Sequence, residues 1–510
     1  MTFSFNTMSQ VASKKDSIDV AREMMFNHRI PEAILILDQL DKRYPQDETV
    51  VLLYSQALYW NNDFPSTISY IKKNTLYKSY PEYFNFHFGK ILFELSYYKD
   101  ANIYLSLYLK NYPEDVETLL MLAKMAYWQG KSLNEISNHI QVILKNDANN
   151  IEAIKLKDEI SLSTAPKLIL SGGLFEDSQP MQAYKLSANL LFYYNTWFQP
   201  SFQVNSLQYK GVDQAIISSI TNKSRILSSN TELEFKTGIF TNTWSEVVIP
   251  TWSLSINQTT FKDIYVSAEA SKSPYLYTLA SISENVVPTI LVSSIGRDSE
   301  KGIIGKLMAH QMRFNDGNKV NTISAWFLAP IINQNIFSFH IGYAFTKANA
   351  DQNRFMLDET IPLPPNSSFG QILPGVFNPY FTPHNQVIHA ALGKIDIKFS
   401  KTVNATLNGN IGVHATIDNP NYVYYGNSVS TVPNVTPKNH HRSPPTEELI
   451  LEDIFKIFVT TRYLPLDLKS KLNWDINRAL SINTEYMYAQ TIFFNNQEIS
   501  LGLNWKFVRR

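Results

Sequence analysis

Apolar and polar residues follow two periods in this chain, and the change between them falls near Lys167. Before it, over about residues 14–162, apolar positions recur with a helical period and no strand alternation. After it the period is two. Between Val403 and Ala415 the odd positions are Val, Ala, Leu, Gly, Ile, Val and Ala, and the even ones between them are Asn404, Thr406, Asn408, Asn410, Gly412 and His414. Leu466, Leu468, Leu472, Trp474 and Ile476 alternate with Asp467, Lys469, Lys471, Asn473 and Asp475 in the same way. Tyr184 to Phe192, Leu233 to Ile239, Trp252 to Ile256, Ile264 to Ala270, Phe337 to Phe345 and Ile395 to Phe399 repeat the pattern. Such a strand has one oily and one wet face. Several runs are longer than the ~5–6 residues usual in soluble sheets and reach the ~9–11 needed to cross a bilayer at a tilt. At about 20 residues per strand and turn, the region predicts about 16 antiparallel strands closed into a transmembrane barrel.

The helical part repeats itself. Ala33, Thr67, Ala101 and Glu135 are spaced 34 apart, inside corresponding strings that begin at His28, Asn62, Ser96 and Gly130. The turns Tyr44-Pro45-Gln46-Asp47 and Tyr112-Pro113-Glu114-Asp115 correspond as well, with Asn146 to Asn149 as a weaker third. Period and turn chemistry resemble tetratricopeptide repeats, with the consensus glycine met only at Gly130 and the second repeat diverged. The resemblance implies a solenoid of about four helix pairs whose groove holds a partner protein or peptide. The fold class expected is therefore α + β multidomain: residues 1–13 a residual or trimmed leader or linker, 14–162 the repeats, and 163–510 the barrel. Met1 to Ala12 lacks a basic n-region, while Ser9 to Ser13 would pass for a cleavage site, so a leader trimmed upstream is the expectation.

Composition narrows the function. Lys plus Arg and Asp plus Glu are 45 each, so no global field favours nucleic acid. The absence of cysteine excludes disulfides, thiolate metal sites and thiol catalysis. No apolar run is long enough for a spanning helix. Twenty-eight Tyr and 30 Phe suit the aromatic belts of a membrane barrel. No cofactor, metal or catalytic residue is nominated. Gly296 to Leu307 echoes a phosphate-binding loop, but no glycine stands at the required spacing before Gly305, and Leu307 replaces the hydroxyl that would meet Mg²⁺. His440 and His441 lack further ligands at metal spacing. His340, His389 and His414 lie in strands with no nucleophile or orienting carboxylate marked beside them.

Residues on the polar faces are candidates for lining a lumen: Glu232, Glu234, Lys236, Glu269, His340, Lys394, Asp396, Lys398, Lys469, Lys471 and Glu485. They mix both signs, whereas a pore selecting simple ions would favour one. A hydrated, nearly neutral solute such as sugar fits this mixture. Lys347 to Pro383 and Asp418 to Leu449 are read as the two long loops, and Asn242-Thr243 and Asn495-Asn496 as short turns. Long loops of barrels face outward, which leaves the repeats on the periplasmic side.

The chain's last strand carries Ser500, Gly502, Trp505 and Phe507 in a pattern that resembles the C-terminal signal handing barrels to their assembly machinery, although Val508 to Arg510 follow it. Helical repeats ahead of such a barrel resemble the exporters of cellulose and of poly-N-acetylglucosamine. Asn378 to Asn385, with Tyr380, Phe381 and Pro383, is similar to a Tyr-Phe-Ser-Pro-Gln segment of the cellulose exporter, Thr382 and His384 replacing Ser and Gln. The resemblance implies passive polysaccharide export through a barrel in outer-membrane lipid, with periplasmic synthesis or modification proteins docked on the repeats. A barrel enzyme acting on lipid or glycan, and a barrel for nutrient uptake or adhesion, are the alternatives.

Overall fold

The computed structural model describes residues 13–508, except 80, 179–180, 211–213, 244–246, 262, 300–301, 358–370, 373–375, 425–453 and 493. The chain divides into two compact units, Met1–Ile160 and Ser161–Arg510.

The first unit is a row of antiparallel helix pairs. The leading helices are α1 (Lys14–Phe26), α3 (Glu48–Trp60), α6 (Pro81–Glu94), α8 (Val116–Trp128) and α10 (Ile151–Thr164). Their partners are α2 (Ile30–Arg43), α4 (Phe64–Lys73), α7 (Tyr98–Leu109) and α9 (Leu133–Asn146), with the short α5 (Leu76–Ser79) between α4 and α6. Starts are set by capping side chains: Ser13 accepts from the amide of Asp16, Asp47 from Val50, and Asp115 from Thr118. Turns inside the pairs are set by one left-handed residue each, at His28 (φ 58°), Asn62 (59°), Ser96 (63°) and Gly130 (63°). Gly130 takes this conformation at no steric cost, Asn62 and His28 are types that visit it more readily than most, and Ser96 is the least suited of the four.

Packing repeats with the same step. Ala21, Ser55 and Ala123 are fully buried on the leading helices, and Gly89 completes their series. A Cβ on Gly89 would stand 2.6 Å from the Leu105 side chain, so α6 and α7 approach closely only because it is absent. Ala33, Thr67 and Ala101 are fully buried as well. Glu135 departs from the expectation, because it is exposed. Helix α9 starts one residue late, after its cap Ser132, so Ile136 occupies the core there, 1% exposed.

The second unit is a closed antiparallel barrel of 16 strands. They are β1 (Lys167–Asp177), β2 (Gln182–Leu191), β3 (Gln199–Tyr209), β4 (Gln214–Ile226), β5 (Thr231–Asn242), β6 (Val248–Phe261), β7 (Ile264–Lys272) and β8 (Thr289–Arg297). There follow β9 (Ile304–Arg313), β10 (Lys319–Asn333), β11 (Phe337–Ala350), β12 (Gln386–Lys398), β13 (Val403–Tyr424), β14 in two pieces (Ile454–Tyr463 and Leu466–Asp475), β15 (Leu480–Gln490) and β16 (Asn495–Lys506). Each strand pairs with its sequence neighbours. Closure comes from β1 against β16, Lys167 opposite Lys506 and Leu168 opposite Trp505.

The register gives the barrel two unlike rims. One holds both ends of the barrel chain and only short connections. The other holds the longer ones: the segment 273–288 between β7 and β8, the segment 351–385 between β11 and β12, and the segment 425–453. The long loops are shorter than the sequence suggested. Lys347 to Ala350 still belong to β11, and Asp418 to Tyr424 extend β13 against Ile454–Tyr463. The remainder of the second loop, with His440 and His441, lies outside the described residues. Asn495 and Asn496 open β16 and pair with Gln490 and Ala489, so the turn precedes them. Five residues, not two, separate β5 from β6.

One face of the wall is apolar and exposed. Leu186 (63%), Val204 (47%), Leu254 (53%) and Leu501 (57%) would be costly in water and are at ease against lipid chains. Among the described residues bulges interrupt the alternation at Thr260 in β6, at Ile331 in β10 and at Val413 in β13. The bulge at Val413 lets His414 face the same way as Val413, and Ala415, expected with the apolar residues, turns to the opposite face and is 1% exposed. Beside the Val413 bulge Pro465 interrupts β14, its carbonyl accepts from the Gly412 amide and its ring fills the space beside Gly412.

Candidate functional site

The candidate site is the lumen and its loop-side mouth. The polar residues named as lumen candidates stand on strand positions between the apolar ones, and opposite charges among them meet on the same or neighbouring strands. Glu232 faces Arg225 at 3.6 Å and Glu234 faces Lys223 at 3.0 Å. Lys394 pairs with Asp396 at 3.1 Å, and Asp396 also accepts from Ser338 and Thr406. Lys469 meets Glu485 at 2.7 Å, with Lys471 directly opposite Glu485 in the register. Lys236 donates to Gln203. Glu269 aligns with Val292 and, through it, with His310; His340 is opposite Lys394. Lys398 closes β12 at the rim that holds the chain ends.

Pattern reading missed one pair here. Lys185 and Glu498 join at 2.6 Å although 313 residues apart, and nothing local couples them. Their strands both flank β1, so only barrel closure brings them together.

The mouth is narrowed from inside by two loops. Between β7 and β8 the short helix α11 (Leu279–Ser283) places Ile282 against Met181, Ala183, Tyr209, Ala215 and Phe240, on the inner face of β2–β5 and their connections. Asn242 holds it there by donating to Asn285 at 2.6 Å. The same loop places Tyr275 in a second cluster with Phe314, Val320, Ala350 and Tyr380. A connection leaving β7 therefore reaches across the opening to the wall several strands away.

The segment Asn378 to Asn385 is the other half of this cap. Tyr380 is 3% exposed and stacks on Phe314, ring centroids 3.6 Å apart. Its hydroxyl donates to Asp316 at 2.6 Å and accepts from Asn318 at 3.2 Å. Asp316 is held in turn by Arg354 at 3.0 Å. Phe381 donates its amide to the Tyr275 hydroxyl, Thr278 donates to the Pro379 carbonyl, and the Pro383 carbonyl accepts from the Ala350 amide. Burial raises the Tyr380 phenol, and the bond to Asp316 adds to the rise; burial likewise pushes Tyr275 up to about 12. Both phenols stay neutral across the physiological range, Tyr380 donating to Asp316 and Tyr275 accepting from Phe381. Beside them Tyr277 is 70% exposed, its ring 4.9 Å from that of Tyr275.

At the other rim Trp505 and Phe507 lie 4.6 Å apart by ring centroid. Ser500 pairs with Gly173 and Glu485, and Gly502 with Ser171 and Asn483. A Cβ on Gly502 would stand 2.5 Å from the Asn483 amide oxygen. Gly296 lies in β8, one residue before its end, and Gly305 in β9, so both glycines of the segment that echoes a phosphate loop belong to strands. Among the described residues no group of three or more His, Cys, Asp or Glu is arranged to hold a metal ion.

No protein-family model matches the chain, and no curated protein matches it. Among solved structures it is similar to a bacterial polysaccharide outer membrane secretin, at 8% identity and TM-score 0.47, over 68% of this chain and 99% of that one. It is similar to a loop-deletion mutant of OmpT, an outer membrane protein of Vibrio cholerae, at 9% identity and TM-score 0.32, over 67% and 97%. It is also similar to MamA from Desulfovibrio magneticus, at 16% identity and TM-score 0.25, over 29% and 81%.

Proposed function

We propose that the protein is an outer-membrane conduit through which a neutral, hydrated polymer, a polysaccharide, leaves the cell. The observation that carries this reading is the neutralised lumen under an aromatic cap. Five ion pairs cancel most of the lumen's charge locally, which leaves little field to select or repel a simple ion. Sugar rings present hydroxyls to such a polar wall and C–H faces to aromatic rings, and Tyr277 offers an exposed ring at the mouth.

In this reading the barrel sits in outer-membrane lipid after delivery by the assembly machinery. The helical unit resembles tetratricopeptide repeats, stands in the periplasm and docks synthesis or modification proteins in its groove. Transport is passive, with no cofactor.

Planar-bilayer recording tests it. Tyr380→Ala removes the stack on Phe314 and the bond to Asp316, and should raise single-channel conductance by loosening the cap. Long neutral oligosaccharides should block the current in proportion to concentration. Unchanged conductance in the variant, together with failure of every oligosaccharide to block, would defeat the proposal.

A further inference from the structure

Charge on the outer surface of the wall is distributed unequally between the rims. At the rim with the chain ends, Arg297 is paired with Asp263 at 3.7 Å. At the loop rim, the register of six successive strands brings Arg313, Lys319, Lys347, His389, His414 and Arg462 onto the lipid-facing side. Arg313 is directly opposite Lys319, and His389 directly opposite His414. Lys347 stands two residues from Phe345, the partner of His389; Arg462 is opposite Thr416, two residues beyond His414. Among the described residues neither Lys347 nor Arg462 has an ion-pair partner. The carboxylate nearest in register, Asp418, is occupied by Thr460 at 2.6 Å and Asn385 at 2.8 Å. Tyr343 donates to or accepts from His389 at 2.5 Å, and Phe345 packs on the same imidazole. The aromatic edge of the apolar band and the cations thus coincide.

We infer that this arc is a binding site for phosphate-bearing lipid headgroups in the leaflet on the loop side. Acyl chains would lie on the apolar band below, and phosphates at the height of the cations. The register sets the cations in two groups, Arg313 beside Lys319, and Lys347, His389, His414 and Arg462 about four residues further along the strands, a separation that the several phosphates of one or two glycolipids can span. The site depends on the barrel being membrane-embedded and not on what passes through it.

The test uses the full chain in phosphatidylcholine nanodiscs into which lipid A, a glycolipid with two phosphates, is titrated, with bound lipid counted by native mass spectrometry. Each cation near a lipid surface is worth about fivefold in affinity. Arg313→Ala, Lys319→Ala, Lys347→Ala and Arg462→Ala combined should therefore weaken retention by at least about 100-fold. Arg297→Ala with Lys401→Ala, at the other rim, should leave it unchanged. Heat-modifiable migration on a gel verifies that both variants are folded; should the fourfold variant not fold, Lys347→Ala with Arg462→Ala is read instead, against about 25-fold. Equal loss in the control variant, or no loss in the loop-rim variant, would overturn the site. Displacement of the lipid by inorganic phosphate alone at equal concentration would show a free-anion site and overturn the lipid assignment. Unchanged oligosaccharide block in the loop-rim variant separates this result from the conduit reading.

Discussion

The two units handle similar side chains in opposite ways. In the helical unit Leu37, Leu92 and Leu105 are wholly buried, while in the barrel Leu186, Leu254 and Leu501 are more than half exposed. Leucine has not changed; the solvent has. A helix hides its apolar stripe on a neighbour because water surrounds the pair, whereas a barrel strand turns its apolar face outward because hydrocarbon surrounds it. The difference teaches that burial alone does not identify a core in this chain.

The comparison breaks most completely at the seam. Trp505→Ser with Phe507→Ser removes the aromatic end of the closing strand, and the barrel should fail to assemble, seen as loss of heat-modifiable migration and of membrane extraction. A helical fragment spanning residues 14–162 should be indifferent to that change and melt cooperatively by circular dichroism, since each helix pair packs on its neighbours.

A matched pair of substitutions sharpens the contrast next. Leu37→Ala opens a cavity in a closed core and should cost the helical unit about 2–5 kcal/mol in denaturant unfolding. Leu186→Ala exchanges lipid-facing surface and should leave barrel assembly intact. Equal effects would mean that the wall's apolar face is covered by protein.

A smaller effect, of opposite sign, is expected at Asn85. It is 1% exposed, and neither its amide nitrogen nor its oxygen has a partner among the described residues. The corresponding positions one repeat before and after are Val51 and Leu119, both buried. Asn85→Leu should stabilise the unit by about 1–3 kcal/mol, read as a higher urea midpoint. A lower midpoint would show that the amide is satisfied.

The helical unit should also lose stability as the pH falls. Burial pushes the His87 imidazole down to about 4, with the ring nitrogen 3.2 Å from the Ser55 hydroxyl. Unfolded histidine titrates near 6.5, so the unfolded chain takes up the proton first as pH falls. Its contribution to stability is complete above about pH 6.5 and is lost between there and about 4, on the order of 1–3 kcal/mol. His87→Gln should flatten this dependence of the urea midpoint; an unchanged slope would assign it to other groups.

Both units were legible in the sequence because both are periodic. The 34-residue step located the helix pairs, and alternation located most strands. What escaped was set by contacts between distant elements. The late start of α9 moved Ile136 into the place expected of Glu135, through a single extra residue in a turn. The role of Gly89 was hidden because only the proximity of Leu105 reveals why a side chain is excluded. At the candidate site, the polar face could be read strand by strand, yet the Lys185–Glu498 pair required closure. Tyr380 stood out by its surrounding string, but its anchors Phe314, Asp316 and Asn318 belong to a different turn.

The pairing of the first strand with the last has a consequence for biogenesis. Until Trp505 and its neighbours have been synthesised, β1 has no second neighbour, and every intermediate sheet keeps two bare edges able to recruit strands from other chains. Helix pairs, whose contacts are local, complete themselves on a far shorter timescale than a sheet whose final contact spans nearly the whole barrel. The cell thus holds, for an interval, a molecule with a finished front and an open back. Survival of that interval rests on shielding two strand edges until β16 reaches β1.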